Sequence, residues 1–560
     1  MTLSLDFGPQ FLSNKAAAGA QKLRGGYYTP AELAKYLCDW ALRDGRERIL
    51  EPSSGDGVFL VAALHTLAER FPKRGSAEIV SVELERAEEQ KARARVSSLA
   101  RSDCVRWLGG DFFHHFDHLK RGEGFDVVVG NPPFIRFQYF DSESREIAFA
   151  HLRRAGYHPT KLANAWAAFV QLSIELLKEG GRLAMVVPAE LLQVGYATEL
   201  RERLAAKFKH VVIVAFRKLV FADIQQEVVL LLAEGKRDDE PTRSDIHTIE
   251  FEDGSELLAT NHLRDAVSHM PARHTRRGMK WTALFLGERE YAALDEAEQS
   301  AKAIPLGHLA DVDIGVVTGR NSFFVLTSET RSELDAHALT VPIVGRTSAL
   351  KSITFTRKDF AALRRETPSH LLNLTGVPED AFSAALSTYL RQGENEGVNL
   401  GYKCRIRRRW HDTPSVYVPD AFLYRQIHTH PLLVLNEAGA TSTDTVHRVR
   451  FRQPVDGKLL SACFFNSLTL AWAEVAGRSY GGGVLELEPR EAEELPIPFS
   501  ATLHLDPNRV DKLLREGNPN AALDYVDGIV LRGHLGLSAK ATRSLRDAWR
   551  TLRDRRKNRR

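Results

Sequence analysis

The chain has 560 residues, 43% hydrophobic and 26% charged, enough for two or three domains of ordinary globular composition that fold without help. A formal net charge of +4 is too small to establish a nucleic-acid partner, so the placement of the basic residues matters more than their sum. Cys38, Cys104, Cys404 and Cys463 form no CxxC and no Cys/His pair, which excludes a disulfide framework and a zinc signature and casts them as structural residues of a reducing interior. The start MTLSLDFGPQ lacks a basic-then-apolar signal and no apolar run approaches the ~20 residues of a membrane helix, so a cytoplasmic protein with no membrane partner is expected.

In chain order, RIL at 48, EIVSVEL at 78, FDVVVG at 125, then GRLAMVVP, HVVIVAF and EVVLLLAEG read as strands separated by helical patterns. That alternation predicts an α/β fold with a mostly parallel sheet. The last two runs are joined by a connection too short for a helical crossover, which predicts an antiparallel pair at the sheet's edge. The polar stretch EGKRDDEPTRSD, at 234–245, reads as a domain boundary. Beyond it strands and helices mix irregularly, and from about 491 the pattern turns helical. The expected division is an N-terminal arm over 1–24, a catalytic domain over 25–240, a mixed α+β domain over 241–490 and a helical segment over 491–560. Leu545, Trp549 and Leu552 lie at helical spacing and are expected to dock on the core, with RDRRKNRR after them as a frayed, solubilising tail.

The residues that carry chemistry cluster in the first part. ILEPSSGDGVFLVAAL (49–64) is a strand, a small-residue turn and a helix, an arrangement that brings backbone N–H groups and a helix N-terminus close to a ligand. Its plain alternative is an ordinary tight turn. The next strand ends at Glu83, where a carboxylate can hold a ribose diol, and a further loop gives Asp111 and Phe112. One acidic residue after each successive strand points to a nucleoside-bearing cofactor. Upstream, Thr29 as N-cap, Pro30 at N1 and Glu32 at N3 predict a capping box ahead of the apolar stripe Leu33, Tyr36, Leu37 and Trp40. Gly130-Asn131-Pro132-Pro133-Phe134 then follows the buried run FDVVV.

With that element the chain resembles the gamma-class, TaqI-like adenine-N6 DNA methyltransferases of type II restriction-modification systems. YYTP, EPSSGDGVF, VELE, GDFF, GNPPF and VFADIQQEVVLLLAE occur in the family's order over about residues 25–235. GVVTGRNSFFVL, PIVGR, NEAGATSTDTVHRV and GRSYGGGVLELEP look like the target-recognition region of its long members. The resemblance implies a Rossmann-like S-adenosylmethionine-dependent methyltransferase sheet followed by a mixed α+β target-recognition region. It places Tyr28, Thr29, Glu51 and Asn131 at the cofactor, with Thr29 and Glu51 near its methionine part. The turn carrying Ser53, Gly55 and Asp56 wraps it, and the particular role of Asp56 is open. Glu83 takes the ribose hydroxyls, Asp111 the adenine amine, and Phe112 stacks on the adenine. Asn131, Pro132 and Phe134 are the implied catalytic residues. Phe134, where many relatives have tyrosine, and Phe221 are the implied aromatics around a flipped target base. No metal is required.

The expected partners are double-stranded DNA and a separate restriction endonuclease, with the chain itself a monomer in a bacterial cytoplasm. Candidate DNA contacts are the basic-aromatic stretches ARHTRRGMKW, with Arg276, Arg277 and Lys280, and YKCRIRRRWH, with Lys403, Arg405, Arg407, Arg408 and Arg409, together with Arg320. A related amide methyltransferase acting on RNA or protein glutamine, and a non-catalytic recognition subunit, are the rival readings. The long chain after the catalytic part and the intact Asn131 speak against them.

Overall fold

The computed structural model describes residues 29–558 except 74, 161–162, 219–226, 239–243, 261–262, 264–266, 268–269, 453 and 481. The arm at 1–24, Tyr28 and Phe221 lie outside the described residues. The chain divides into two compact units, one reaching Phe285 and one spanning Leu286–Asn558.

In the first unit the elements are α1 (Ala31–Ala41), β1 (Arg48–Glu51), α2 (Val58–Arg70), β2 (Glu78–Glu83), α3 (Arg86–Val96), β3 (Val105–Gly109), α4 (Phe112–Lys120), β4 (Phe125–Gly130), α5 (Ser142–Arg154), α6 (Ala165–Leu176), β5 (Leu177–Pro188), α7 (Thr198–Lys207), β6 (Phe208–Phe216), β7 (Val228–Lys236), β8 (Asp245–Phe251) and α8 (Gly254–Ala259). The strands form one sheet in the order β3-β2-β1-β4-β5-β7-β6-β8. β7 alone runs against its neighbours β5 and β6. The central strands read as unbroken apolar runs because helices cover both faces: Val127, Val128 and Val129 of β4 and Leu230, Leu231 and Leu232 of β7 are at most 2% exposed.

The first unit differs from the expected one in three respects. The antiparallel pair is interior: β8 lies outside β6 and pairs parallel to it, from His210↔Asp245 to Phe216↔Phe251. The polar stretch 234–245 accordingly begins in the last residues of β7 and ends at the first residue of β8, two strands of one sheet, and the first unit continues past it to Phe285. The capping box ahead of α1 is also not formed, since the helix starts at Ala31 with Pro30 at the cap and no side-chain cap bond.

The second unit is mixed α+β. A five-stranded sheet places Val446–Phe451 between Ala310–Asp313 and Ala421–Tyr424, followed by Leu433–Asn436 and Thr354–Phe355. A four-stranded sheet joins Val325–Leu326, His370–Leu372, Thr340–Val344 and Thr441–Ser442. The helices used below are α9 (Ala384–Asn395), α10 (Tyr402–Arg405), α11 (Ser467–Ala476) and α12 (Ala539–Lys557). Leu545, Trp549 and Leu552 of α12 are 0%, 3% and 3% exposed, as their spacing requires. The basic end of that helix is not frayed. Arg556, 3% exposed, donates to both carboxylate oxygens of buried Glu474 in α11, at 2.9 and 2.7 Å, and so serves the core.

Candidate active site

The strand order reverses where β1 sits between β2 and β4, and in an open α/β sheet ligands bind outside the carboxyl ends of the strands at that point. The register brings the relevant ends level: Glu51 pairs with Ser81, Glu83 with Gly109, and Gly130 with Met185. The turn after β1 and the segment after β4 therefore flank one crevice, and Ser53 Oγ donates to the Asn131 carbonyl across it at 3.4 Å.

Three carboxylates line the β1–β2 side. Glu51 is 1% exposed and its Oε2 is buried with no hydrogen-bond partner. Burial first, then the charges of Glu83 and Asp56, hold its carboxyl well above the usual range. Glu83 accepts from the Gly55 amide at 2.7 Å and from the Glu85 amide at 2.8 Å. Its pKa is raised by burial, which those two N–H bonds oppose. Asp56, buried, pairs with Arg95 of α3 at 2.7 Å. That ion pair ties the turn to α3. Gly55 adopts φ +53°, and a side chain there would project into open space, so the turn presents bare backbone to the crevice. A buried carboxylate oxygen with nothing to accept from, a second carboxylate and an open turn fit a cationic group carrying a diol. S-adenosylmethionine fits that description: its ammonium and ribose hydroxyls donate, and its sulfonium adds positive charge.

On the β4 side, Gly130 has φ +153°, a conformation closed to ordinary residues, and it turns the chain into Asn131-Pro132-Pro133-Phe134. The prolines fix φ and remove two backbone donors. Asn131 Nδ2 donates to Thr29 Oγ1 at 3.2 Å, so the hydroxyl read as a helix cap instead orients the Asn131 amide, and the acceptor end of that amide faces away from Thr29. Phe134 is partly buried and packs against the core cluster that includes Ile49, Val127 and Val129. The Ile135 carbonyl accepts from the Ala165 amide at 2.9 Å, anchoring the segment to the start of α6.

A sequence model described as N-6 DNA Methylase matches residues 9–299, more than half of the chain. The chain belongs to the N-6 DNA methylase family. A second model, described as the C-terminal domain of the type II methyltransferase M.Eco57I, matches residues 278–531. This N-6 DNA methylase is similar to the type II methyltransferase M.XamI of Xanthomonas campestris pv. amaranthicola, 23% identical with 86% of each chain covered. It is also similar to M.AccI of Acinetobacter calcoaceticus, 22% identical with 83% of each covered. Among solved structures, the type IIL restriction-modification enzyme MmeI aligns with a TM-score of 0.54 and 12% identity, covering 94% of this chain and 75% of that one, a likeness of fold.

Elsewhere the methylase departs from the residue-by-residue expectations. Asp111 caps α4, accepting from the Phe113 amide at 2.8 Å. Phe112 is 2% exposed and stacks on Phe169 with ring centroids 5.1 Å apart, so it is a core ring in this structure. Lys280 is buried at 8% exposure, whereas Arg276 and Arg277 are exposed, Arg277 facing Glu202 at 3.9 Å; all three fall in the first unit. Arg407 donates to the carbonyls of Val317 and Thr318, each at 2.8 Å. Arg409 donates to Val377 and Leu374 carbonyls and pairs with Asp412 at 2.7 Å. Both hold their own segment in place, while Arg320, Lys403, Arg405 and Arg408 are exposed. A network absent from the sequence reading stands behind the Asn131 segment. Asn164 Nδ2 donates to Glu190 Oε2 at 3.1 Å and to Tyr196 Oη at 2.9 Å, and Trp166 Nε1 donates to Tyr196 Oη at 3.1 Å. Glu190, next to the carboxyl end of β5, was its one available signal.

Proposed function

We propose that this methylase transfers a methyl group from S-adenosylmethionine to N6 of an adenine swung out of duplex DNA, protecting DNA from a separate restriction endonuclease. The observation that carries the reading is the Asn131 amide, fixed by Thr29 between a left-handed glycine and two prolines at the switch point of the sheet. An exocyclic adenine amine is a poor nucleophile because its lone pair is delocalised into the ring. Asn131 Oδ1 and the Pro132 carbonyl accept its two N–H bonds, which draws the nitrogen toward tetrahedral geometry and localises that lone pair. Acceptors held in advance need little reorganisation at the transition state. S-adenosylmethionine supplies an electrophilic methyl group when bound.

Glu51 and Glu83 hold the ammonium and the ribose hydroxyls, the Ser53–Gly55 turn lies along the cofactor, and Phe134 offers the extruded base a stacking face with Phe221 as its second aromatic. Asp111 and Phe112 support the nucleoside end through the start of α4. Extrusion costs a few kcal/mol, offset by DNA contacts. The type II methyltransferase C-terminal match over 278–531 favours DNA over RNA or protein glutamine, and on this reading the second unit carries sequence choice. The chain acts as a cytoplasmic monomer on this reading. Incubating it with unmethylated DNA and methyl-deuterated S-adenosylmethionine, then digesting to nucleosides for mass spectrometry, should give labelled N6-methyldeoxyadenosine. Label on cytosine alone, or on RNA or protein but not DNA, would overturn the proposal.

A further inference from the structure

Single exposed apolar side chains are ordinary on a protein surface, but a cluster of large ones marks an interaction site. In the second unit Leu400, Tyr402 and Ile406 are 72%, 64% and 61% exposed, and they fall within seven residues of one another. The segment that displays them is held from behind. Cys404 is 1% exposed with its thiol toward the Thr318 carbonyl, and Arg407 and Arg409 bind five backbone carbonyls. These inward anchors alternate with Lys403, Arg405 and Arg408, all exposed. Arg320 adds a fourth cation, since Gly319 packs directly against Lys403 and Cys404. The nearby carboxylates are engaged within the protein: Glu394 accepts from the Trp410 indole and Glu396 from Gln392, each at 2.9 Å.

We infer that residues 400–408 form a duplex-DNA contact in which Lys403, Arg405 and Arg408 hold phosphates while Leu400, Tyr402 and Ile406 enter the groove and wedge apart a base step, an inference that rests on the reading of the chain as a DNA methylase. Cations at this spacing around exposed apolar groups match the two parts of a duplex, an anionic backbone and the apolar faces of its bases. Apolar wedges of this kind unstack a step and bend the helix, and the rigid backing keeps the side chains presented instead of folded onto the surface. The arginines of the RIRRRW stretch thereby divide into anchors (Arg407, Arg409) and contacts (Arg405, Arg408).

The test uses the full chain and a dye-labelled duplex containing a site that the wild-type protein methylates. Arg405→Ala with Arg408→Ala should lower the slope of log affinity against log salt by about 2, at about 0.9 per phosphate contact. Leu400→Ser with Ile406→Ser should leave that slope unchanged, weaken binding about 10-fold and abolish the end-to-end energy-transfer change that reports bending. Both double variants should melt like wild type, because the replaced side chains are exposed. If wild type methylates and binds DNA while both variants match it in slope, affinity and bending, the surface is refuted. If only the arginine variant differs, the apolar cluster serves another partner, such as a protein, and the wedge is refuted. Failure of wild type to methylate any DNA would instead refute the methylase reading itself.

Discussion

Replacing Glu51 with glutamine should make the ligand-free protein more stable and a poorer binder of S-adenosylmethionine. The side chain is 1% exposed, its Oε2 has no partner, and burial together with Glu83 and Asp56 holds its pKa well above the ordinary value. A folded-state pKa above the unfolded one means that the protonated form is favoured in the native state. Stability is therefore undiminished below the unfolded pKa of about 4.3 and falls as pH rises toward the folded value, by about 1.4 kcal/mol for each unit between them. Glutamine does not titrate, so the melting difference between variant and wild type should open from about pH 4.5 upward. Near pH 7.5 it should reach about 2 °C or more, since 1 kcal/mol moves a domain of this size by about that much. Binding moves the other way. Losing one charge-assisted hydrogen bond, worth about 1.5–3 kcal/mol, weakens the Kd by roughly 10- to 150-fold. Thermal melts across pH 4.5–8 and calorimetric titration with S-adenosylmethionine read the two effects. A variant that is less stable at every pH and binds with unchanged affinity would refute the assignment of Glu51 to the cofactor.

Substitutions at three other sites probe separate parts of the molecule. Glu83→Ala removes the acceptor of the Gly55 and Glu85 amides and should weaken cofactor binding markedly while DNA affinity holds; unchanged calorimetric affinity would take Glu83 out of the site. Phe134→Trp should keep partial activity, whereas Phe134→Ala should lose about 1–3 kcal/mol of stacking and leave a 2-aminopurine probe at the target position brighter than in the wild-type complex; equal brightness together with undiminished activity of Phe134→Ala would remove Phe134 from the base. Arg556→Met strands the buried Glu474 carboxylate and should cost about 3–5 kcal/mol in urea unfolding, while adding Glu474→Leu should recover much of it; a near-neutral single variant would contradict the ion pair's place in the core.

What was legible in the sequence follows burial. β1, β2, β4, β5, β6 and β7 are covered on both faces and read as apolar runs, but β3 (VRWLG) buries only Val105 among its side chains and β8 (DIHTIEF) is partly solvated along its length. Both are edge strands whose composition matches a loop. The same blindness moved the domain boundary, because a polar connection inside a sheet looks like a linker. Asn131, Glu51 and Glu83 could be placed because each directly follows or ends a recognisable strand. Thr29 could be placed but not understood, since its partner Asn131 lies 102 residues away. Arginines gave the least: Arg407, Arg409 and Arg556 are indistinguishable in sequence from Arg405 and Arg408, and only packing decides which charge meets a backbone carbonyl and which meets solvent.

The central claim is that Asn131 activates an adenine amine in DNA, and single-molecule sequencing of genomic DNA from a methylation-free host expressing either wild type or Asn131→Ala tests it most directly. Removing an acceptor whose worth rises as N6 becomes positive should lower turnover by about 100-fold or more with cofactor and DNA still bound. The account predicts N6-methyladenine at one fixed sequence context in wild-type DNA and almost none in the variant. Equal modification by both proteins, or a wild-type signal confined to cytosine, would contradict it.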